Sequence, residues 1–225
     1  MKLLLVSSPG RERTVLHWSH AMAATMAGVA SAGGAQVRWF AALPAGSPAL
    51  VAPPGVALEV FAFAGSGRHH CIATDTRHPG ADAALTAVLR HEPTTRVVHV
   101  GVGARGSPNL CWLASRLGSP TFAVVRAAEV ECHRGDLVQA DGEACTRSDD
   151  PERCRRCCAP SFWRRPHADA FRNRADLLVA SLQATEATFV PTIEDQQRLV
   201  AFGVPVATLV VDTDVASMLS RCLPR

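Results

Sequence analysis

Short apolar runs alternate with longer amphipathic stretches along the whole chain, and this alternation sets the expected fold. Residues 2–6 form an apolar run that passes through Ser-Pro-Gly into an Ala-rich stretch at about 14–32, which stops at Gly33-Gly34. The order is strand, loop, helix, stop. Further strands are expected at residues 37–41, 56–63 (after the Pro- and Gly-rich segment 44–55), 96–100, 121–125, 187–190 and 208–211. Helices are expected at residues 81–90, 108–117, 168–184, 192–202 and 215–223. The helix at 192–202 is the best punctuated: Thr192 can cap it, Asp195 stands three residues later, Gly203 stops it and Pro205 follows. Strands that alternate with helices, several of them apolar throughout, predict an α/β, Rossmann-like domain: a parallel sheet with helices on both faces. No internal repeat or low-complexity tail interrupts the pattern.

Composition bounds this picture without changing it. With 225 residues and 48% hydrophobic content, the chain can bury one substantial core, so residues 1–225 are expected to form a single domain. The net charge is only +3, but Lys2 is the sole lysine and the remaining cations are arginine. The opening MKLLLVSSPG has too short an apolar core for a signal peptide. No apolar run approaches the roughly 18–20 residues that span a bilayer. A cytoplasmic location is therefore expected, where thiols stay reduced and clustered cysteines more often hold a metal than form disulfides.

Residues 132–158, CHRGDLVQADGEACTRSDDPERCRRCC, hold five of the eight cysteines. Cys154 and Cys157 form a Cys-x2-Cys pair expected to present two thiolates from a tight turn, while Cys132 and Cys145 stand across residues 135–142 as on the arms of a hairpin. Four such ligands closed around one ion suit a structural zinc, and a segment so poor in apolar residues needs a cross-link of that kind to fold. An iron-sulfur cluster uses the same four thiolates and is the alternative, with disulfides or free thiols third. The expected ligands are Cys132, Cys145, Cys154 and Cys157 of a metal knuckle at residues 130–160, with Cys158 as the spare and His133 as a substitute ligand. Cys111 is expected to face the core. In His69-His70-Cys71, adjacent side chains do not converge easily on one ion.

CHRGDLVQADGEAC, the DPERCRRC that closes the insertion, RADLLVASLQATEATFVPT and DQQRLVAFGVP resemble the amino-terminal, acceptor-side domain of family 4 glycosyltransferases with the two-domain GT-B fold. The resemblance is to a subgroup with a cysteine-bearing insertion, and RVVHV and LLLVSS match it more loosely. It covers most of residues 96–211. It implies a glycosyltransferase-like, acceptor-side subunit that needs a separate donor-domain protein to transfer sugar from a nucleotide-sugar. Several positions depart from the family pattern. Arg126 and Ala127 stand where the family has a His-Asp pair, Gly101 where it commonly has a histidine, and Pro9-Gly10-Arg11 where it has a glycine pair. The family's second domain, which holds the nucleotide-sugar, would begin where this chain stops. These departures favour the alternative of a catalytically dead relative that binds a partner or a ligand.

GVGARG, residues 101–106, also fits G-x-G-x-x-G between an expected strand and an expected helix, as in a dinucleotide-binding turn. The motif belongs after the first strand, however, and here it follows at least three. A tight glycine turn suited to an anion, with Arg105 assisting, is the simpler reading. Ligands of open parallel sheets bind at the carboxyl ends of strands. The candidate substrate-binding residues are therefore Ser8, Gly10, Arg11, Gly101, Gly103, Arg105, Arg126 and Glu129. Seven arginines lie in the span that opens at Arg153 and closes at Arg174, with Phe162, Trp163 and Phe171 among them. Such a patch could hold a phosphorylated lipid or another anionic acceptor at a membrane surface, or form a solvated face. Nucleic acid is disfavoured by the small net charge. His17 and His20 share a helical face and read as ordinary surface or core histidines rather than a ligand pair. No nucleophile elbow, phosphate loop or zinc-protease motif occurs.

Overall fold

The computed structural model describes residues 1–7, 18–44, 47, 49–63, 78–91, 95–102, 108–133, 137–139, 141–145, 150–159 and 167–223. Within them the chain runs β1 (Lys2–Ser7), α1 (Trp18–Ala32), β2 (Gln36–Pro44), β3 (Ala57–Phe63), α2 (Pro79–His91), β4 (Arg96–Val100), α3 (Asn109–Arg116) and β5 (Thr121–Val124). It continues through α4 (Ala127–Glu131), α5 (Pro151–Cys158), α6 (Ala168–Gln183), β6 (Ala187–Val190), α7 (Ile193–Phe202), β7 (Leu209–Val211) and α8 (Val215–Cys222). The strands form one sheet in the order β3-β2-β1-β4-β5-β6-β7, and every pairing is parallel.

This is the α/β architecture that the alternation predicts, and the burial pattern explains it. Leu3 to Val6 in β1 and Val97 to Val100 in β4 are buried without a break, because helices cover both faces of the sheet. On one face Leu3, Leu5, Trp39, Val98 and Val124 pack against α1 and α8 through Ala23, Met26, Ala27, Met218 and Leu219. On the other, Leu4, Val6, Phe40 and Val97 meet α2 and α3 through Leu85 and Leu110. Ala123, Val125 and Val190 meet α6 and α7 through Leu178, Leu182 and Leu199. Cys111 joins that second face as an apolar side chain, as expected.

Helix α7 closes with the signals read from its sequence. Thr192 accepts from Asp195 N–H, and Gly203 takes φ 110°, a left-handed conformation that other residues adopt at a cost. Two helices were not expected, α4 and α5. Cys154 and Cys157 therefore stand on a helix and not on a tight turn. Asp150 accepts from Glu152 N–H and Arg153 N–H, Pro151 takes the first helical position, and Glu152 pairs with Arg155 one turn on. Together these start an eight-residue helix that has almost no aliphatic content. Among the described residues, no helix is long and apolar enough to cross a membrane.

Candidate functional site at the carboxyl edge of the sheet

The strand order reverses direction between β1 and β4, and this opens a crevice at their carboxyl ends. Ser7 ends β1 and lies opposite Val100, the last residue of β4. Gly101 follows in a left-handed conformation (φ 71°), and its N–H donates to Val124 O at 2.8 Å. A Cβ at Gly101 would stand 2.8 Å from Ser19 Cβ and 3.5 Å from Glu129 Oε2. Both the backbone conformation and the space require glycine here.

Polar side chains from four elements meet at this edge. The Trp39 indole N–H donates to Ser7 Oγ at 2.7 Å, and Ser7 Oγ is 2.8 Å from Nδ1 of the buried His20 on α1. The Trp18 indole N–H, also on α1, donates to the Glu129 carboxylate of α4. The Arg126 guanidinium lies over the Trp18 ring, 4.7 Å from its centroid, a cation–π arrangement. Gly101, Arg126 and Glu129 are thus brought together, with Trp18 as the joint between the last two. Ser8, Gly10, Arg11, Gly103 and Arg105 lie outside the described residues, as do His17 and the His69-His70-Cys71 triplet.

The sequence reading does not single out Ser7, Trp18 and Trp39. A faint signal existed for two of them: a buried indole needs an acceptor for its N–H, and Trp39 sits one strand from Ser7. His20 is a core histidine held in place by Ser7. His99 in β4 is buried as well, and its Nε2 has no hydrogen-bond partner. Desolvation pulls its pKa down to about 3, so the ring stays neutral.

Helix α4, which presents Arg126 and Glu129, is fixed from both ends. Asp195 Oδ1 accepts from Ala127 N–H at 2.8 Å, and Arg198 grips Glu131 with two bonds of 3.1 and 2.7 Å. The fully buried Arg174 of α6 donates to the carbonyls of Val130 (3.3 Å) and Glu129 (3.4 Å) at the helix's last turn.

The cysteine lobe follows α4 directly. Cys132 is the C-cap of that helix, and a Val138–Ala144 antiparallel bridge with Gly142 in its turn forms a small hairpin. Cys145 N–H donates to Leu137 O at 2.6 Å at the base of this hairpin, which brings the thiol back toward α5. Cys154 and Cys158 pack with Phe171 of α6 in a small core of their own. His133 meets Phe171 edge-on at 4.7 Å. Burial, and Arg174 after it, hold the His133 pKa well below the usual imidazole value.

None of the seven described cysteines is in a disulfide. Burial pushes the Cys154 thiol up to about 12, and Cys132, Cys145, Cys157 and Asp150 act on it in the same direction. All four expected ligands therefore lie within electrostatic reach of one another's neighbourhood at Cys154. They do not close: among the described residues, no three His, Cys, Asp or Glu side chains form a group that could hold a metal ion.

The arginine run does not form one uniform patch. Arg153 donates to Gln139 at 3.1 and 3.3 Å, Arg155 pairs with Glu152, and Arg172 pairs with Asp169 at 3.3 Å. Arg156 is exposed and Arg174 is buried in the interior. Phe162 and Trp163 lie outside the described residues. No protein-family model matches this chain, and no curated protein matches it either.

Proposed function

We propose that this chain is a glycosyltransferase-like, acceptor-side subunit, completed by a separate donor-domain protein that holds the nucleotide-sugar. The observation that carries the reading is the Glu129 carboxylate, held by Trp18 at the crevice between β1 and β4. A buried acceptor-only group at such a crevice suits the binding of a substrate hydroxyl, and Arg126 beside it suits an anionic one. The family resemblance of the cysteine segment points the same way, though a fold alone establishes no activity. In this reading Cys132, Cys145, Cys154 and Cys157 would hold a structural metal, zinc before an iron-sulfur cluster. That metal would cross-link the lobe, and no reaction step runs through it. Thiol donors are the type that suits such an ion, although among the described residues the four form no group that could hold one.

The test is reconstitution with a protein that carries a nucleotide-sugar-binding domain encoded beside this chain. UDP-, GDP- and TDP-sugars are offered with a polyprenyl phosphate as acceptor. The expected result is transfer by the pair and by neither protein alone, with Glu129→Gln abolishing transfer while the complex still forms. A complex with no transfer on any donor would overturn the enzymatic reading.

That result would instead support a non-catalytic scaffold, which one observation favours. Arg126 and Ala127 occupy the positions of the family's His-Asp pair, and both are engaged structurally, Arg126 on the Trp18 ring and Ala127 through Asp195. The scaffold reading expects partner binding that survives Arg126→Ala. Dinucleotide binding through GVGARG carries least weight, because the motif follows β4 and not β1. Thermal unfolding in the presence of NAD or NADP tests it, since a ligand selective for the folded state must stabilise it.

A further inference from the structure

Three consecutive residues of α1 each meet a different element at the carboxyl edge of the sheet. Trp18 donates to the Glu129 carboxylate of α4, and His20 meets Ser7 of β1 at 2.8 Å. Ser19 lies so close to Gly101 that a Cβ there would stand 2.8 Å from its own. The His20 contact leads on to β2, because the Trp39 indole N–H donates to the same Ser7 oxygen at 2.7 Å. The His20 and Trp39 rings are 6.5 Å apart between centroids, and all three side chains of this group are buried.

The protons of this group have one arrangement that strands none of them. An indole N–H donates and never accepts, so Ser7 Oγ receives the Trp39 proton. Among the described residues the Ser7 hydroxyl has two side-chain partners, Trp39 and His20. Its own proton therefore has one acceptor, Nδ1 of His20. That nitrogen must be bare, and the ring proton sits on Nε2. A proton on Nδ1 would leave the buried Ser7 hydroxyl without an acceptor, a cost the fold avoids. A serine beside a histidine also resembles a nucleophile and its base, but Ser7 is fully enclosed and one of its lone pairs is taken by the indole.

We propose that Trp39 and Ser7 lock His20 in its Nε2–H form, and that this lock anchors the start of α1 so that Trp18 holds the Glu129 carboxylate at the crevice. His20 is thus a positioning residue for Glu129, two residues away from the indole that grips it. The other supports of α4, Asp195, Arg174 and Arg198, come from α6 and α7. Trp18 is the support that comes from α1, and it keeps its place only if the start of α1 keeps its own. The bearing of this lock on a substrate rests on the reading of Glu129 given above.

The experiment compares the ¹⁵N-labelled full chain with Ser7→Ala, His20→Leu and His20→Asn by NMR. A long-range nitrogen–proton correlation at about pH 8, where an unperturbed imidazole is neutral, reads the His20 tautomer. The indole N–H signals of the four tryptophans are assigned with single Trp→Phe variants, and the response to Glu129→Gln identifies the carboxylate bond of Trp18. The wild type is expected to carry the Nε2 proton. His20→Leu and Ser7→Ala should each move the Trp39 signal and also the Trp18 signal toward the free-indole position. Trp112, on α3, should stay in place and so report an intact fold. His20→Asn sets a carbonyl oxygen where Nδ1 accepts and should restore both signals, which a change in packing alone would not do. If Trp112 moves in His20→Leu, that variant has lost its fold, and Ser7→Ala against His20→Asn decides.

A His20 ring with its proton on Nδ1 would overturn the lock. A Trp18 signal unmoved in Ser7→Ala while Trp39 moves would overturn the coupling to Glu129. Failure of His20→Asn to restore either signal would do the same for the role of Nδ1 as acceptor. A reconstituted pair that transfers no sugar would overturn the acceptor-site reading without touching the lock, whose signals are read on this chain alone.

Discussion

Asp195 Oδ1 accepts the backbone N–H of Ala127 at 2.8 Å, so a residue of α7 caps α4 from 68 positions further along the chain. The same carboxylate accepts from the Thr192 hydroxyl, while Asp195 N–H donates back to Thr192 Oγ at 3.0 Å. One side chain therefore serves the starts of two helices. A helix of five residues has little intrinsic stability, so α4 depends on such outside partners. Asp195→Ala should lower unfolding free energy by about 2 kcal/mol, roughly one for each helix start, and Thr192→Ala by about 1 kcal/mol. Urea unfolding midpoints measure both. Equal losses in the two variants would show that the Ala127 contact contributes nothing.

This shared cap marks the boundary of what could be read in the sequence. Helix α7 is legible because its signals, Thr192, Asp195 and Gly203, are local, and β1 and β4 are legible because unbroken apolar runs require burial on both faces. Helix α4 is illegible because its cap comes from far away in the chain. Helix α5 is hidden for another reason: its buried side consists of Cys154 and Cys158, and in the sequence the first reads as a metal ligand and the second as its spare rather than as one helical face. Arg174 stood in a run of arginines and so read as surface, and only the tertiary structure reveals its burial. In the candidate site, Gly101, Arg126 and Glu129 follow from the rule that strand ends bind ligands. The Ser7–His20–Trp39 group depends on contacts between elements that no local pattern encodes.

His99 gives the protein a predictable response to acid. Its folded pKa of about 3 lies below the unfolded value of about 6.5, so below pH 6.5 the unfolded chain binds a proton that the native state refuses. The stability from the neutral ring is complete above pH 6.5. It falls by up to about 1.4 kcal/mol per pH unit as pH drops toward 3. His99→Leu should remove one proton from this dependence while leaving stability at pH 7.5 equal or higher. Denaturant unfolding at pH 7.5, 6, 5 and 4 tests it. A slope unchanged by the substitution would mean that His99 already titrates normally in the folded chain.

Gly101 can be dissected into its two constraints. Gly101→Ala should cost about 1 kcal/mol for the left-handed backbone, and about 1–3 kcal/mol more for the clash with Ser19. Ser19→Gly in the same chain relieves the clash and leaves the backbone cost. The double variant should therefore recover part of the lost stability and not all of it. Full recovery would show that the conformation at Gly101 costs alanine nothing. No recovery would show that the contact with Ser19 relaxes on its own.

The adjacent Cys157 and Cys158 separate coordination from packing. Cys158 is buried against Cys154 and Phe171 in the lobe's small core, whereas Cys157 is half-exposed on the same helix and acts on Cys154 together with Cys132 and Cys145. If Cys157 is a ligand and Cys158 a packing residue, Cys157→Ser should lower metal per chain and weaken folding of the lobe, because ligand loss removes folding energy directly. Cys158→Ala should keep the metal and cost about 1 kcal/mol from the smaller side chain. Elemental analysis gives the first quantity and thermal unfolding the second, while a visible absorption spectrum of protein kept from oxygen distinguishes an iron-sulfur cluster from colourless zinc. Metal lost in Cys158→Ala and retained in Cys157→Ser would move the fourth ligand one residue along the helix, to the side chain that already faces Phe171.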